Sequence, residues 1–419
     1  MPFSTLPMYA NIPATPGALS AFFQLHDAGR VPALLPIRYQ RMQADALAFF
    51  RGSAPLYYAR FAGAPALAEG PVGWLCGDAH VENFGSYRAD NRLVYFDLND
   101  FDEAIMGPLL WDVGRLLVSV RLAAARFGLP PAAQHAQAEV VLAAYTAALA
   151  TGKAYMLERA TARGLVQQLL KNVQHRGQRE LLAGRISRRG GWHFRTQKAP
   201  GLRALPPGEA LAVLRAVENW RLAQPSPPCG PLLDVAGRIA GVGSLGVPRY
   251  ALLAKSRRPG KLPRLLDLKL TLPAAAAPFA PVPQPVWPTE AARVVGAQGF
   301  LQAVCPALLQ PLDLGGRPFV LRALQPVADK LDFENFTQNV AGFQAALPDF
   351  GHLLAWAHLR AAGHRGAAGP DALRAFGLEV ASWQADVLNF AGQAQSVVEA
   401  DYAAFALACS EGALPMVKR

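Results

Sequence analysis

The sequence predicts a two-lobed α+β protein. Three observations carry that expectation: helical apolar spacing before residue 230 and again after 328, a block at 231–272 that reads as strand, glycine turn, strand, basic loop and strand, and a length of 419 residues that exceeds one ordinary core. In chain order, RYQRMQADALAFFRG (38–52) sets Met42, Leu47, Phe49 and Phe50 at helical intervals before a glycine stop. VGWLCGDAH (72–80) is a short apolar strand running into a loop, and RLVYFDLND (92–100) is a second strand. After Gly107-Pro108, apolar residues at 109, 110, 113, 116, 117 and 120 predict a helix, so the acid cluster NDFDE falls between a strand and a helix. Residues 131–175 read as further helix, and the basic stretch around Gly190-Gly191 as loop. A Pro/Ala-rich linker (273–288) leads to the helix PTEAARVVGAQGFLQ, the strand GGRPFVLRALQP and a helical remainder that includes FGHLLAWAHLRAAG. The expected organisation is an N-terminal helical segment (1–75), a loop-bearing part of the larger lobe (76–229), a small β-rich lobe (230–328) and C-terminal helices completing the larger lobe (329–419).

Hydrophobic residues make up 52% of the chain, yet no apolar run approaches the roughly 18 residues of a membrane span. MPFSTLPMYANIPATPG lacks the charged start and apolar stretch of a leader, and Cys76, Cys229, Cys305 and Cys409 lie far apart without CxxC spacing. Both point to a cytoplasmic protein with neither zinc knuckle nor disulfide framework. The formal charge of +11 is concentrated: between Lys171 and Arg203 nine Lys or Arg face the single acid Glu180. Such a stretch attracts anionic partners, and it serves equally as a solvated surface.

Two constellations carry chemistry. GDAHVENFG places Asp78 and Asn83 in D-x-x-x-x-N spacing, followed one strand later by Asp97, Asp100 and Asp102. In protein kinases this spacing supplies the catalytic base and an amide ligand for Mg²⁺, and a further Asp completes the metal site with hard oxygen ligands. The motif alone is common by chance. Its weight comes from the order of strand, loop, strand, acid cluster, Gly-Pro and helix, against the plainer reading of Asp78 as a turn cap. For Asp112 and Arg115, on the following helix, a buried ion pair or backbone anchor beneath the loop is expected.

The second constellation is Gly241-Val-Gly243-Ser244-Leu-Gly246, with Lys269 in LLDLKLT beyond it. A dinucleotide-binding loop of this spacing opens a helix, whereas here the chain resumes as strand, the arrangement of a hairpin folded over ATP phosphates. Lys269 would then meet the α and β phosphates, with Glu290 on the next helix as its ion-pair partner. In kinases the glycine loop and lysine precede the catalytic Asp; here they follow it, an order that a circular permutation produces.

The segments RYQRM…FFRG, GDAHVENFG, FDLNDFDEAIMGPLLWDVGRL, GVGSLG, RVVGAQ, FVLRALQP, LLAWAHLR and QADVLNF…DY resemble, over nearly the whole chain, the bacterial DUF2252 family, which is similar to aminoglycoside phosphotransferases and kinases. The resemblance implies a permuted protein kinase-like fold, Mg²⁺ and ATP as cofactors, Asp78 as base, Asn83 as metal ligand and Asp97 or Asp100 as the second. Counting from Asn83 favours Asp97; matching NDFDEA to the phosphotransferase pattern IDFDDA favours Asp100. Two positions depart from the family pattern: Leu270 directly after the lysine and Gly296 in RVVGAQ stand where acids are usual.

The leading expectation is therefore an ATP-dependent phosphotransferase acting on a hydroxyl of a small molecule or protein, its partners a nucleotide and an unidentified acceptor, for which the basic stretch suits an anionic one, rather than a membrane or nucleic acid. A nucleotide-binding pseudokinase is the alternative that Leu270 and Gly296 raise. A third, a metal-dependent hydrolase, would use His80 and Glu82 together with Asp78 and Asp97.

Overall fold

A computed structural model describes residues 12–326, 331 and 340–417. The start of the expected N-terminal segment (1–11) and most of the entry to the C-terminal helices (327–330 and 332–339) lie outside these residues. With 49% helix, 15% strand and several antiparallel sheets, the protein is α+β.

The chain opens with α1 (Pro16–His26), α2 (Leu35–Met42), α3 (Ala46–Gly52), α4 (Ala54–Phe61) and α5 (Pro65–Ala68). Thr15 caps α1 by accepting from the Ala18 amide, and Asp45 caps α3 through Ala48 at 2.7 Å. Then come β1 (Val72–Leu75), β2 (Phe84–Arg88), β3 (Val94–Leu98), β4 (Ile105–Pro108) and α6 (Leu110–Arg126). The acid cluster thus sits between two strands, because residues 105–108 turn back to pair with β1 before the helix begins.

The continuous helix expected over 131–175 is broken. It divides into α7 (Pro131–Thr151), the short β5 (Leu157–Glu158) and α8 (Gly164–His175), since Gly152 adopts a left-handed conformation (φ 65°) that closes α7. The basic stretch is likewise more than a loop: α9 (Gln178–Leu182) and the hairpin β6 (Ile186–Ser187) and β7 (His193–Phe194) form there. Leu182, Ile186 and Phe194 bury themselves against Ala236, Ala251, Leu253 and Leu265, so the cations stand outside an apolar anchor.

After β8 (Leu202–Arg203) and α10 (Pro207–Ala223) come β9 (Leu232–Arg238), β10 (Arg249–Ala254) and β11 (Arg264–Leu270), then α11 (Glu290–Leu301), β12 (Gln310–Asp313) and β13 (Pro318–Ala323). They build one antiparallel sheet in the order β12-β13-β11-β10-β9-β8, which draws an edge strand from before residue 230. Its α10 side is filled by Val213 and Val217 against Tyr250, Leu252, Leu266, Leu268 and Phe319. The opposite side packs Ala251, Leu253 and Leu265 on the basic stretch and carries Lys269 to Asp100 and Asp102.

The chain ends in α12 (Val340–Ala361), α13 (Pro370–Leu378) and α14 (Gln384–Ser410). Together with α1–α6 and α7 they enclose the main core, which includes the rings of Phe23, Phe49, Trp111, Phe350 and Phe405. Among the described residues no helix is long and apolar enough to cross a membrane.

Candidate functional site

The loop after β1 is built from beneath. Gly77 holds φ at 78°, and an added Cβ would lie 1.8 Å from the Glu103 carbonyl oxygen, so the acid loop presses directly on its backbone. Asp112, in the first turn of α6, accepts from the Cys76 amide at 2.7 Å and the Gly77 amide at 3.0 Å. His358 of α12 stands 3.4 Å from the same carboxylate and shares a 2.9 Å hydrogen bond with the Tyr145 hydroxyl. Asp112 is the backbone anchor expected; Arg115, however, pairs with Asp78.

Arg115 donates to Asp78 Oδ1 through Nε at 2.7 Å, with its guanidinium 4.2 Å above the Phe50 ring and 4.7 Å from that of Tyr57. Burial raises the Asp78 pKa above the usual carboxylate value, and the Arg115 charge opposes that rise. His80 Nε2 lies 3.7 Å from Asp78 Oδ2, while its Nδ1 accepts from the Glu82 amide at 3.1 Å. With Nδ1 accepting from the Glu82 amide, Nε2 is the ring nitrogen that faces the carboxylate. Glu82 pairs with Arg51 at 2.7 Å.

Asn83 connects this loop to the acid cluster: its Nδ2 donates to the Asp78 and Asp100 carbonyls, each at 3.1 Å. Its Oδ1 is buried with no hydrogen-bond partner among the described residues. An amide oxygen left so is costly, and it offers a hard ligand for a cation.

The carboxylates beyond β3 separate into different environments. Asp97 is 1% exposed and filled: Oδ1 accepts from the Leu98 amide at 2.9 Å, and Oδ2 from Arg360 at 3.0 Å and the Ala303 amide at 3.2 Å. Asp100 has a side chain 45% exposed with Oδ2 3.6 Å from Lys269 Nζ, and Asp102 makes a close ion pair with the same ammonium. Lys269 therefore reaches the acid loop, and its partners are Asp102 and Asp100; Glu290 instead takes Arg293 at 2.6 Å. Among the described residues no three His, Cys, Asp or Glu side chains gather as a metal cluster. The atoms that suit Mg²⁺ are the Asn83 oxygen and the Asp100 carboxylate, whose loops Asn83 itself ties together.

Gly241, Gly243, Ser244 and Gly246 lie in the turn between the antiparallel strands β9 and β10, so the glycine motif is a hairpin loop. It is clamped from outside by the N-terminal helices. Arg38 Nη1 donates to the Val242 carbonyl at 2.6 Å and the Gly243 carbonyl at 3.0 Å, Arg41 to Gly241 at 2.9 Å, Arg30 to Leu245 at 2.8 Å, and the Val31 amide to Gly246 at 2.8 Å. Asp27 in turn holds Arg30 and Arg38 at 2.6 and 2.8 Å.

Sequence reasoning missed these clamping arginines, and it missed the arginine cluster around Asp267. That carboxylate, 1% exposed on β11, is gripped by Arg249 at 2.5 Å and Arg238 at 2.7 Å, with Arg322 at 3.6 Å. Burial pushes its pKa up, yet the three guanidiniums hold it well below the usual range. The available signal was alternation: Asp267 and Lys269, two residues apart, share one face of the sheet.

No curated protein and no solved structure matches the chain. The model of one protein family does, over residues 30–408, a span that takes in Asp78, Asn83, the acid cluster, the glycine hairpin and Lys269. The chain belongs to this family, described as an uncharacterized protein conserved in bacteria (DUF2252).

Proposed function

We propose that the protein is a phosphotransferase of permuted kinase-like fold that uses Mg²⁺ and ATP to modify a hydroxyl on an unidentified small molecule or protein. The observation that carries this reading is the buried, unsatisfied Asn83 Oδ1, on the side chain that ties the Asp78 loop to the Asp100 loop, with Lys269 coming to Asp100 from the facing sheet. Asn83 and Asp100 would hold the metal, which when bound would neutralise phosphate charge. Asp97 is ill suited to that role, since Arg360 and two amides already use its oxygens. Asp78 would accept the proton of the acceptor hydroxyl, its basicity raised by burial and its carboxylate oriented by Arg115. The hairpin loop 241–246 would cover the phosphates, with Lys269 against them as a point charge.

A second reading has one observation in its favour. Asp102 closes on Lys269, while Glu290 is engaged by Arg293, so the cleft cation is neutralised by the chain itself, as a nucleotide-binding pseudokinase permits. Single Asn variants at positions 78, 97 and 100 separate the possibilities. Asp78→Asn should abolish turnover while Mg²⁺-ATP affinity, measured by calorimetry, stays within a few-fold. Asp100→Asn should weaken Mg²⁺-dependent nucleotide binding at least tenfold, and Asp97→Asn should act on stability instead. Nucleotide binding by the parent without turnover on any acceptor would favour the pseudokinase. Absence of any nucleoside triphosphate binding by the parent would end both readings.

A further inference from the structure

The sheet face that bears Lys269 is cationic well beyond that residue. Arg249 lies opposite Lys269 in the β10–β11 register, and Arg322 lies opposite Asp267 in the β11–β13 register, so all four side chains share one face. Arg238 ends β9, and it too reaches Asp267. Three guanidiniums thus surround one carboxylate on side chains only 10%, 10% and 16% exposed for Arg238, Arg249 and Arg322, and with Lys269, Asp100 and Asp102 counted the face holds four cations against three carboxylates. The carboxylates next along, Asp100 and Asp102, are already directed to Lys269. Arg238 and Arg322 also donate to the Gln325 and Asn99 carbonyls, so what remains is one net positive charge on a largely buried face, which is suited to an anion from solution.

An independent observation lies beside it. Arg238 and Arg249 are the closing residues of the two strands that the glycine hairpin joins. In that hairpin the carbonyls of residues 241, 242, 243, 245 and 246 are turned to the N-terminal segment. The amides of Val242, Gly243 and Ser244 have no hydrogen-bond partner among the described residues. With the carbonyls held outward, those N–H groups are left for an acceptor, the arrangement that backbone nests present to phosphates.

We propose that Arg238, Arg249 and Arg322 form a phosphate subsite at the base of the glycine hairpin, so that the ligand is anchored through its phosphate chain on the sheet and its base is not read. The nucleotide class of the ligand rests on the phosphotransferase reading; the anion subsite does not. Calorimetry on the full-length protein with tripolyphosphate, ATP, GTP, CTP and adenosine tests it. The parent is expected to bind the three nucleotides within about threefold of one another and tripolyphosphate within about tenfold of them, with no detectable adenosine binding. Arg322→Gln, at the least buried of the three arginines, should weaken every phosphate ligand about ten- to a hundredfold, the worth of a charge-assisted hydrogen bond. Arg322→Lys should recover part of that loss, and it keeps the test open if the Gln variant fails to fold, since it must still lie measurably below the parent. The subsite is refuted if the parent binds no tripolyphosphate, if ATP is preferred over GTP and CTP by more than about twentyfold, or if the position 322 variants bind like the parent. Those results leave the phosphotransferase reading standing. Conversely, Arg322-dependent tripolyphosphate binding alongside an Asp100→Asn variant that keeps full Mg²⁺-ATP affinity would remove the phosphotransferase reading and retain the subsite.

Discussion

A methyl group at position 77 would meet the Glu103 carbonyl at 1.8 Å and would also have to adopt a positive φ. Neither neighbour can yield cheaply: one is backbone of the acid loop, and the other side of the turn is fixed by Asp112. Gly77→Ala is therefore expected to cost about 3 kcal/mol or more, from left-handed strain together with overpacking. A lower urea midpoint with an unchanged slope checks this, and a variant within 1 kcal/mol of the parent would show that the two loops are not locked together. The two departures from the family pattern also have a residue-level account. Leu270 points to the α10 side of the sheet, among Tyr250, Leu268 and Phe319, so it lies on the face opposite Lys269. A Cβ on Gly296 would lie 2.3 Å from the Trp287 indole, which fills the space a side chain there would need. The different surroundings of Asp97 and Asp100 were closed to sequence reasoning because the residue that occupies Asp97 is Arg360, 263 positions away.

At the scale of elements, what was legible was local. The glycine turn between strands, the loop after β1 and the helix carrying Asp112 each follow from periodicity and turn residues within about twenty positions. What was not legible depends on contacts across the chain: the N-terminal helices settle on the glycine hairpin through Arg38, which spans 204 residues to Val242, and the basic stretch folds because three apolar residues find the sheet. Arg38 is fully buried, and besides the hairpin carbonyls it serves Asp27 and the Gly52 carbonyl. Replacing it by Met keeps the bulk and orphans these partners, at a cost of about 3 to 5 kcal/mol. The specific expectation is spatial. In hydrogen exchange, the hydrogen-bonded amides of Leu245 and Val247 and those of the flanking strand ends should open more than those of α7 and α12, because the clamp acts on one loop. Arg38→Lys should rescue little, since a single ammonium cannot reproduce the fork that reaches Val242, Gly243, Gly52 and Asp27 together. Uniform loss of protection in both variants would reduce Arg38 to a general core residue.

Across the whole molecule, the first and last helices close on each other. Phe405 of α14 packs at 5.1 Å from both Phe23 and Phe49, the Gln24 amide donates to the Ala413 carbonyl, and Tyr402 donates to Gln43. Arg60 and Asp401 complete the seam with two hydrogen bonds of 2.5 and 2.8 Å, the carboxylate side chain being only 3% exposed. Elements far apart in the sequence are thus joined by packing and by one buried ion pair. Burial raises the Asp401 pKa and Arg60 opposes the rise. Arg60→Leu should then leave a buried carboxylate uncompensated and cost about 2 to 4 kcal/mol near neutral pH, seen as a fall of several degrees in Tm. The pH dependence fixes the cause. With Arg60 gone, the folded-state pKa of Asp401 climbs further above its unfolded value, so the folded protein holds the proton more tightly and stability falls as pH rises between the two values. The deficit of Arg60→Leu relative to the parent should accordingly shrink as pH is lowered toward 4. Adding Asp401→Asn should remove that pH dependence and recover much of the lost stability. A deficit that stays constant from pH 4 to 8 would assign the loss to missing packing of the arginine stem, and the ion pair would then not be what holds the two ends of the chain together.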